Sequence, residues 1–292
     1  MTDIVIYHDK CIDGFTAAWA CKFAWPAAQF VARNYGMLPD IEVAGANILI
    51  VDFSFPADVL EQMIAQGAKS IVILDHHKTA QEDLHPYLRF SNRKERFRPD
   101  VVERMLEDLR RGGYSPICAM FDMERSGAGM AWDYAIGYPR PTLVDLVEDR
   151  DLWRFQFGDD ARHLHLALSS GEMTFDRWDD ARTNLRRYLD IGRSIASYRD
   201  KLVAEICDRA WLSEMDGKRA IMVDCPYALA SDVGHTLLTR HPQADFAALR
   251  VADAVSTSWS LRSDDDRADV SEIARNHGGG GHRNAAGFRL TN

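Results

Sequence analysis

Three short runs of apolar residues define the pattern of the first half of the chain. They are Ile4 to Tyr7, Ile48 to Val51 and Ile71 to Leu74, and each run is continuous rather than alternating. Continuous runs of this length are typical of strands that are covered on both faces, as in a parallel sheet. The intervening segments Gly14 to Ala28 and Pro56 to Gln66 are helix-like. This β-α-β-α order predicts an α/β fold with a doubly wound, mostly parallel sheet.

The pattern changes further along the chain. Asp122 to Tyr134 is helix-like, and Leu143 to Trp153 fits either a helix or a strand. Asp176 to Trp211 is long, charged and free of proline, which predicts one or two helices. From Arg219 onward the pattern becomes strand-like again. We therefore expect a first domain over 1–175, a helical linker over 176–212 and a smaller α/β domain over 213–292, with the active site in the cleft between the domains.

Composition and charge exclude several classes of protein. The chain has 292 residues, of which 46% are hydrophobic and 27% are charged, with a net charge of −9. These values are ordinary for a globular protein and exclude disorder along the whole chain. No apolar run approaches the ~20 residues of a membrane span, and the N-terminus lacks a secretory signal, so we expect a cytoplasmic protein. The acidic balance argues against binding of long duplex nucleic acid, although it leaves short phosphorylated substrates open.

Potential metal ligands follow each of the three apolar runs. His8 and Asp13 follow the first run, Asp52 the second, and Asp75, His76 and His77 the third. The carboxyl ends of parallel strands share one edge of a sheet, so these residues should meet there. Carboxylates this close together repel one another unless cations neutralise them. Asp and His without thiolate clusters favour Mn²⁺, Mg²⁺, iron or cobalt, and two such metals would activate a bridging hydroxide. The alternative for each residue is a helix cap or a turn.

Of two glycine-containing segments, one is a candidate phosphate loop. Gly278 to Gly281 is followed by His282 and Arg283, and glycine amides together with these side chains would suit an anion. The alternative is a flexible linker, although the strand-like stretch after the run argues against it. Ser126 to Gly129 lacks the spacing of a nucleotide-binding loop, so we expect it to begin a closely packed helix with Ser126 as the N-cap.

The ordered motifs together resemble the DHH phosphoesterase superfamily, specifically its two-domain members with a C-terminal DHHA1 domain. Asp75-His76-His77 is similar to the motif that gives the family its name. The segments His8 to Gly14, Asp52 and Val147 to Trp153 resemble its first, second and fourth motifs, and Gly278 to Phe288 resembles the GGGH motif of DHHA1. The resemblance covers nearly the whole chain and is specific for the superfamily, but much less so for the substrate.

The resemblance implies a metal-binding role for most of the candidate residues. His8 and Asp52 would bind a first metal. The implied ligands of a second metal are Asp13, Asp52, His76 and either Asp149 or Asp151. Asp52 would thus bridge two divalent cations, most simply Mn²⁺, with Mg²⁺ or Co²⁺ as alternatives.

Substrate-binding roles are implied for another set of residues. His77 would face the substrate phosphate and stabilise negative charge, and Asp75 would orient a neighbouring ligand. His282, with the backbone of Gly280 and Gly281, would hold the substrate from the C-terminal domain. Arg283 would add a charged donor, and Arg262 resembles a basic position of the family.

One residue departs from the family pattern. Cys11 stands where the first motif usually has an additional Asp, and His8 lies one residue further upstream than in RecJ-type members. Cys11 would be a thiolate ligand, Asp9 would substitute for the missing Asp, or the first metal would be weakly held. A small side chain that only fills a turn is an equal alternative.

These observations predict a divalent-metal-dependent phosphoesterase of short oligonucleotides or small nucleotides. A hydrolase of polyphosphate or another phosphoanhydride is the enzymatic alternative. A nucleotide-binding sensor with weakened catalysis, with Cys11 as the cause, is the non-enzymatic one. The predicted partner is the small substrate, and no association with a membrane is expected. Whether the chain forms a homodimer stays open.

Overall fold

The computed structural model describes residues 2–89, 97–137, 139–252 and 255–291. They form two compact units, 1–195 and 196–292, and the boundary between the units falls inside one long helix.

The first unit alternates strands and helices. Its elements are β1 (Ile4–His8), α1 (Ile12–Ala24), β2 (Gln29–Arg33), β3 (Asn47–Val51), α2 (Ala57–Ala65), β4 (Ser70–Asp75), α3 (Lys78–Asp83), α4 (Pro99–Arg111), β5 (Ile117–Phe121), α5 (Gly127–Ala135), α6 (Thr142–Asp151), α7 (Asp159–Ser169), α8 (Phe175–Thr183) and the beginning of α9 (Leu185–Cys207).

The five strands of this unit form one parallel sheet in the order β2-β1-β3-β4-β5. Successive residues of a strand point to opposite faces, and each face of the sheet is covered by its own apolar cluster. Leu49 and Val51 belong to the cluster that contains α1 and α5, whereas Ile48 and Ile50 pack with Leu60 of α2. The predicted doubly wound α/β fold is confirmed.

Two of these strands did not stand out in the sequence. β2 directly follows α1, which ends at Ala24 rather than at the predicted Ala28. β2 lies at the edge of the sheet and only Val31 in it is buried, so it lacks the continuous apolar run of a central strand. β5 lies at the other edge of the sheet. The segment from 143 to 153, left open between helix and strand, is helical as far as Asp151, the end of α6.

The arginine-rich region around α4 forms a solvated helical face. Exposed arginines of this helix pair with acids of the same helix, as Arg104 does with Asp100 and Arg111 with Glu107. The neighbouring cations Arg93, Lys94 and Arg96 lie outside the described residues.

The second unit contains a mixed sheet. Its elements are the remainder of α9, β6 (Trp211–Met215), β7 (Lys218–Asp224), α10 (Ala230–Arg240), β8 (Phe246–Ala252), β9 (Ser256–Arg262), α11 (Val270–Asn276), β10 (Gly280–Gly281) and β11 (Ala285–Thr291). The six strands follow the order β10-β11-β9-β8-β7-β6, and β7 with β8 is the parallel pair. This smaller α/β unit agrees with the predicted architecture, although β6 begins at Trp211, inside the predicted helical linker.

Candidate metal centre

The candidate ligands lie where three adjacent strands end. β1 ends at His8, β3 is followed directly by Asp52, and β4 ends at Asp75. Asp52 has a positive φ of 62° and donates its backbone N–H to the carbonyl oxygen of Leu74. Such a φ is uncommon for residues other than glycine and is best tolerated by Asn and Asp. The strand therefore turns sharply at the residue that carries the central carboxylate.

Asp52 connects two histidines. Its Oδ2 atom lies 3.3 Å from Nδ1 of His8, and its Oδ1 atom lies 3.1 Å from Nε2 of His76. Its side chain is 1% exposed. A buried carboxylate that uses both oxygens in this way has the geometry of a ligand shared between two neighbouring positions.

Asp13 and Asp151 approach His76 from two helices. Nε2 of His76 lies 3.8 Å from Oδ2 of Asp13 and 3.6 Å from Oδ2 of Asp151. The carboxylate of Asp13 also accepts the backbone N–H groups of Gly127 and Ala128, at 2.6 and 3.0 Å. These are among the first N–H groups of α5, which carry a partial positive charge and have no partner within the helix. The start of α5 thus fixes Asp13 beside His76.

Two adjoining sets of donor atoms result. One consists of His8, Cys11 and Asp52, and the other of Asp13, His76 and Asp151, with one ligand atom of each residue within 4.8 Å of the others. Five of these six donors are carboxylates or imidazoles, a set that suits a divalent cation such as Mn²⁺. The residues present therefore fit the metal centre that the resemblance implies.

The crowding of buried charges shifts the pKa values of the candidate ligands. Burial and the charges of Asp52 and Asp151 raise the pKa of Asp13 well above its usual value. Burial also raises the pKa of Asp52, but hydrogen bonds from His76 and His8 outweigh it and hold that pKa well below the usual value. Burial lowers the pKa of His76, yet its hydrogen bond to Asp52 and the nearby carboxylates raise it to about 10. A proton on His76 thus offsets part of the negative charge that a cation would neutralise.

His77 and Asp75 form a separate pair at the end of β4. Nδ1 of His77 lies 2.6 Å from Oδ1 of Asp75, which also accepts the backbone N–H groups of His76 and His77. Asp75 is fully buried, whereas the side chain of His77 is 15% exposed. Asp75 therefore fixes the turn after β4 and orients the ring of His77 through Nδ1.

The two acids left open by the fourth motif occupy different environments. Asp151 lies in the cluster with Asp13 and His76. Asp149 is buried and accepts the backbone N–H groups of Gln156 and Phe157, at 2.8 and 3.0 Å. The geometry therefore favours Asp151 as the ligand and gives Asp149 a role in the turn after α6.

Cys11 lies among the candidate ligands, next to His8 and Asp52. Burial and the charges of Asp52, Asp13 and Asp151 raise the pKa of its thiol well above the usual value. The backbone N–H of Phe15 donates to the carbonyl oxygen of Cys11, so this residue also begins α1. Its position is thus compatible with a ligand and with a residue of the turn.

Two glycines lie directly behind the centre: Gly14 belongs to the segment that resembles the first motif, whereas Gly127 had no predicted functional role. A Cβ atom on Gly14 would lie 2.6 Å from the carbonyl oxygen of His8, and one on Gly127 would lie 2.4 Å from Cβ of Asp52. The signal for Gly127 was its place in the segment predicted to begin a closely packed helix. That prediction is confirmed, since the hydroxyl of Ser126 accepts the N–H of Gly129 as the N-cap of α5.

The glycine run of the second unit is ordered, so the linker alternative is wrong. The amides of Gly278 and Gly279 donate to carbonyl oxygens at the end of α11, and Gly280 and Gly281 pair with β11. A Cβ atom on Gly279 would lie 2.1 Å from the carbonyl oxygen of Gly287, so close backbone approach explains this glycine. The amides of Gly278 and Gly279 are thus not directed at an anion.

The predicted substrate-binding side chains of the second unit have internal partners. Arg283 donates to the carbonyl oxygens of Asp265 and Arg267, at 2.6 and 3.1 Å. Arg262 donates to the hydroxyls of Ser231 and Ser260, both at 2.9 Å. The last candidate, His282, lies in the turn between β10 and β11, where its backbone N–H donates to the carbonyl oxygen of Ala285. Contact of these residues with a substrate stays a prediction.

No helix in the described parts of the chain is long and apolar enough to cross a membrane.

The fold of the chain is that of the DHH-domain proteins, in agreement with the resemblance of its motifs. One similar solved structure is the DHH domain of a member of the s1p family of ribosomal proteins, with a TM-score of 0.61, 14% identity and coverage of 99% of this chain and 83% of that chain. Another is RecJ from Thermus thermophilus in complex with Mn²⁺, with a TM-score of 0.50, 14% identity and coverage of 98% of this chain. The match spans 49% of the RecJ chain, about half of its length.

Among curated sequences, the uncharacterized protein R106 of Acanthamoeba polyphaga mimivirus is similar to the chain. The two sequences are 26% identical over an aligned length of 313 residues. The match covers 99% of this chain and 68% of that protein. No protein-family model matches the chain.

Proposed function

We propose that the chain is a divalent-metal-dependent phosphoesterase that hydrolyses phosphodiester or phosphomonoester bonds of short oligonucleotides or small nucleotides. The observation that carries this proposal is the sharing of Asp52 between His8 and His76, each of which belongs to its own set of donor atoms. In two-metal phosphoryl chemistry, two cations about 3.5–4 Å apart stabilise the attacking and leaving oxygens, and a carboxylate shared between two sets of donors would suit such a pair.

The proposed ligands divide into the two sets already described. His8, Asp52 and Cys11 would hold one cation, and Asp52 with the second set would hold the other. Mn²⁺ is the preferred ion because oxygen and imidazole donors dominate both sets, and because the similar structure of RecJ contains Mn²⁺. When bound, the cations would supply Lewis acidity toward the phosphoryl oxygens and an activated water as nucleophile.

The side chains around the cations have roles of their own. His77 would donate a hydrogen bond to a phosphoryl oxygen and stabilise the charge that develops there. Asp75 would keep the ring of His77 in one orientation and one tautomer through its 2.6 Å contact with Nδ1. Asp13 would stay in place because the N-terminus of α5 holds both of its oxygens.

The test is hydrolysis of a small panel in the presence of Mn²⁺, with EDTA as the control. The panel contains a 5′-phosphorylated dinucleotide, a linear product of a cyclic dinucleotide, adenosine 3′,5′-bisphosphate, a cyclic mononucleotide and short polyphosphate. We expect turnover of at least one nucleotide that EDTA abolishes. The variant Asp52→Asn should lose about 100-fold or more of that turnover, while Asp108→Asn, on the exposed face of α4, should retain it.

Three outcomes would contradict the proposal. Turnover of polyphosphate alone would identify a phosphoanhydride hydrolase instead. Near-native turnover by Asp52→Asn would show that the metal assignment is wrong. Binding of Mn²⁺ and nucleotide without any hydrolysis would favour the sensor.

A further inference from the structure

A loop beside the candidate metal centre carries an exposed aromatic ring. Tyr35 follows β2, and its ring centroid lies 5.6 Å from that of His8 and 5.8 Å from that of His77. Phe53 contacts it at 5.8 Å as well. All three contacts are edge-to-face, with interplanar angles of 78°, 73° and 87°, and the residue is still 50% exposed. Tyr35 thus touches His8, a proposed metal ligand, and His77, which would face the phosphate, and it keeps surface for a ligand.

The loop that presents Tyr35 is held by one arginine. The guanidinium of Arg33 donates to the carbonyl oxygens of Pro39 and Asp40, at 2.7 and 3.1 Å, and also to that of Leu38. The backbone N–H of Tyr35 donates to Oδ1 of Asn34, which fixes the start of the same loop. An aromatic ring on a loop closed in this way loses little conformational entropy when a ligand binds to it.

The chemistry of this loop favours a flat apolar group over a second anion. Residues 34–40 read Asn-Tyr-Gly-Met-Leu-Pro-Asp and contain no Lys or Arg. Met37 and Leu38 are 48% and 69% exposed, and the guanidinium of Arg33 is committed to the backbone carbonyls. A polyphosphate chain would place a further charge beside apolar groups and Asp40, whereas a nucleobase would bury apolar surface there.

We propose that Tyr35 stacks on the nucleobase next to the phosphate held at His77 and the metal centre, so that this loop selects nucleotides over polyphosphate. This inference rests on the proposed phosphoesterase function and deepens it. Tyr35 would contribute to binding of the base and not to the bond-breaking step, so its loss should appear mainly in KM and in the dissociation constant.

The test compares a 5′-phosphorylated dinucleotide with the same compound lacking both bases. Dissociation constants are measured by titration calorimetry with Ca²⁺ in place of Mn²⁺, and kcat and KM are measured with Mn²⁺. For Tyr35→Ala we expect affinity for the dinucleotide to fall roughly 5- to 150-fold, the range measured for loss of one aromatic stacking partner. Affinity for the abasic compound should change by less than about 2-fold, because no base contacts the ring.

Two further variants complete the design. Tyr35→Phe keeps the aromatic face and should resemble the wild type. Tyr114→Ala removes another exposed tyrosine, which precedes β5 at the amino end of that edge strand, and should change neither ligand's affinity. Circular dichroism and Mn²⁺ affinity check that each variant keeps the fold and the metal centre.

The outcomes separate this inference from the proposed function. A loss specific to the base-bearing ligand in Tyr35→Ala and not in Tyr35→Phe supports stacking. Equal losses for both ligands, or no loss for either, overturn it while turnover by the wild type still stands. Absence of any metal-dependent hydrolysis by the wild type would instead overturn the phosphoesterase itself.

Discussion

Gly127 backs directly onto Asp52. A Cβ atom at position 127 would lie 2.4 Å from Cβ and 2.8 Å from Oδ1 of Asp52, closer than non-bonded atoms approach. The neighbouring atoms belong to the backbone and a short buried side chain, which cannot move aside as a long exposed chain can. The first residue of α5 is therefore glycine because the central carboxylate of the candidate site occupies the space beside it.

The variant Gly127→Ala should consequently displace Asp52. We expect Mn²⁺ affinity and turnover to fall about 10- to 100-fold, as when a residue that orients a metal ligand is altered. The matched control is Gly112→Ala, where φ is −78° and the added atom would meet the ring of the exposed Tyr114. Calorimetry with Mn²⁺ measures both variants, and equal affinities would show that the contact with Asp52 is unimportant for binding.

From the sequence, a ligand of this centre can be predicted only where it lies at the end of a strand or at the beginning of a helix. His8, Asp52 and Asp75 can be predicted because each directly follows a short apolar run, and parallel strands bring such positions to one edge. The N–H groups that hold Asp13 could not be found, because Gly127 lies 114 residues further along the chain. Pairing over that distance depends on how α1 packs against α5, which no local pattern encodes.

The same dependence on contacts outside the local sequence explains why the ligand in the fourth motif and the strands β2 and β5 could not be predicted. Asp149 and Asp151 are both acidic and lie on the same helix, so spacing alone did not separate them. Their environments differ only because the turn after α6 folds back over Asp149. β2 was not predicted because it is an edge strand with a neighbouring strand on one side only. Its residues are therefore less buried, and its apolar pattern is correspondingly weak.

Substitution of Asp149 and of Asp151 should separate the roles of these two acids. Asp151→Asn should remove most metal-dependent turnover. Without metal it should leave the protein as stable as the wild type or more so, because burial raises the pKa of Asp151 by more than the charge of His76 lowers it, so its charge is disfavoured there. Asp149→Asn should lower the free energy of unfolding by about 1–3 kcal/mol, since one backbone N–H loses its acceptor.

Thermal unfolding in the presence of EDTA measures the stability of each variant without metal. Titration with Mn²⁺ measures metal binding independently. If Asp149→Asn abolished metal binding while leaving stability intact, and Asp151→Asn did the reverse, the two assignments would have to be exchanged.

Metal affinity should rise with pH. Carboxylates around His76 raise its pKa to about 10, so its imidazole carries a proton at neutral pH in the metal-free protein. A cation can be bound by this ring only after that proton leaves, and the raised pKa of Asp13 acts in the same direction. Protons and metal therefore exclude each other, and the dissociation constant for Mn²⁺ should fall as pH increases between about pH 6 and pH 8.

Calorimetry in buffers with different ionisation enthalpies counts the protons released. We expect His76→Gln to release fewer protons than the wild type, whereas His85→Gln, at an exposed position after α3, should release the same number. A dissociation constant that is independent of pH would contradict the arrangement of His76 and Asp13 around the cation.

Cys11 should be a metal ligand rather than a residue that only fills a turn. It shares a group with His8 and Asp52, and a cation there would lower the pKa that burial raises. Cys11→Ala should weaken binding of one of the two cations about 10- to 100-fold, and Cys11→Asp should restore it through a carboxylate oxygen. With Co²⁺, the wild type should show a thiolate-to-cobalt charge-transfer band that Cys11→Ala lacks and that Cys21→Ala, which removes a buried thiol further along α1, retains. No band in the wild type, together with unchanged affinity of Cys11→Ala, would limit Cys11 to the turn, and a large gain of turnover in Cys11→Asp would instead identify a weakened site.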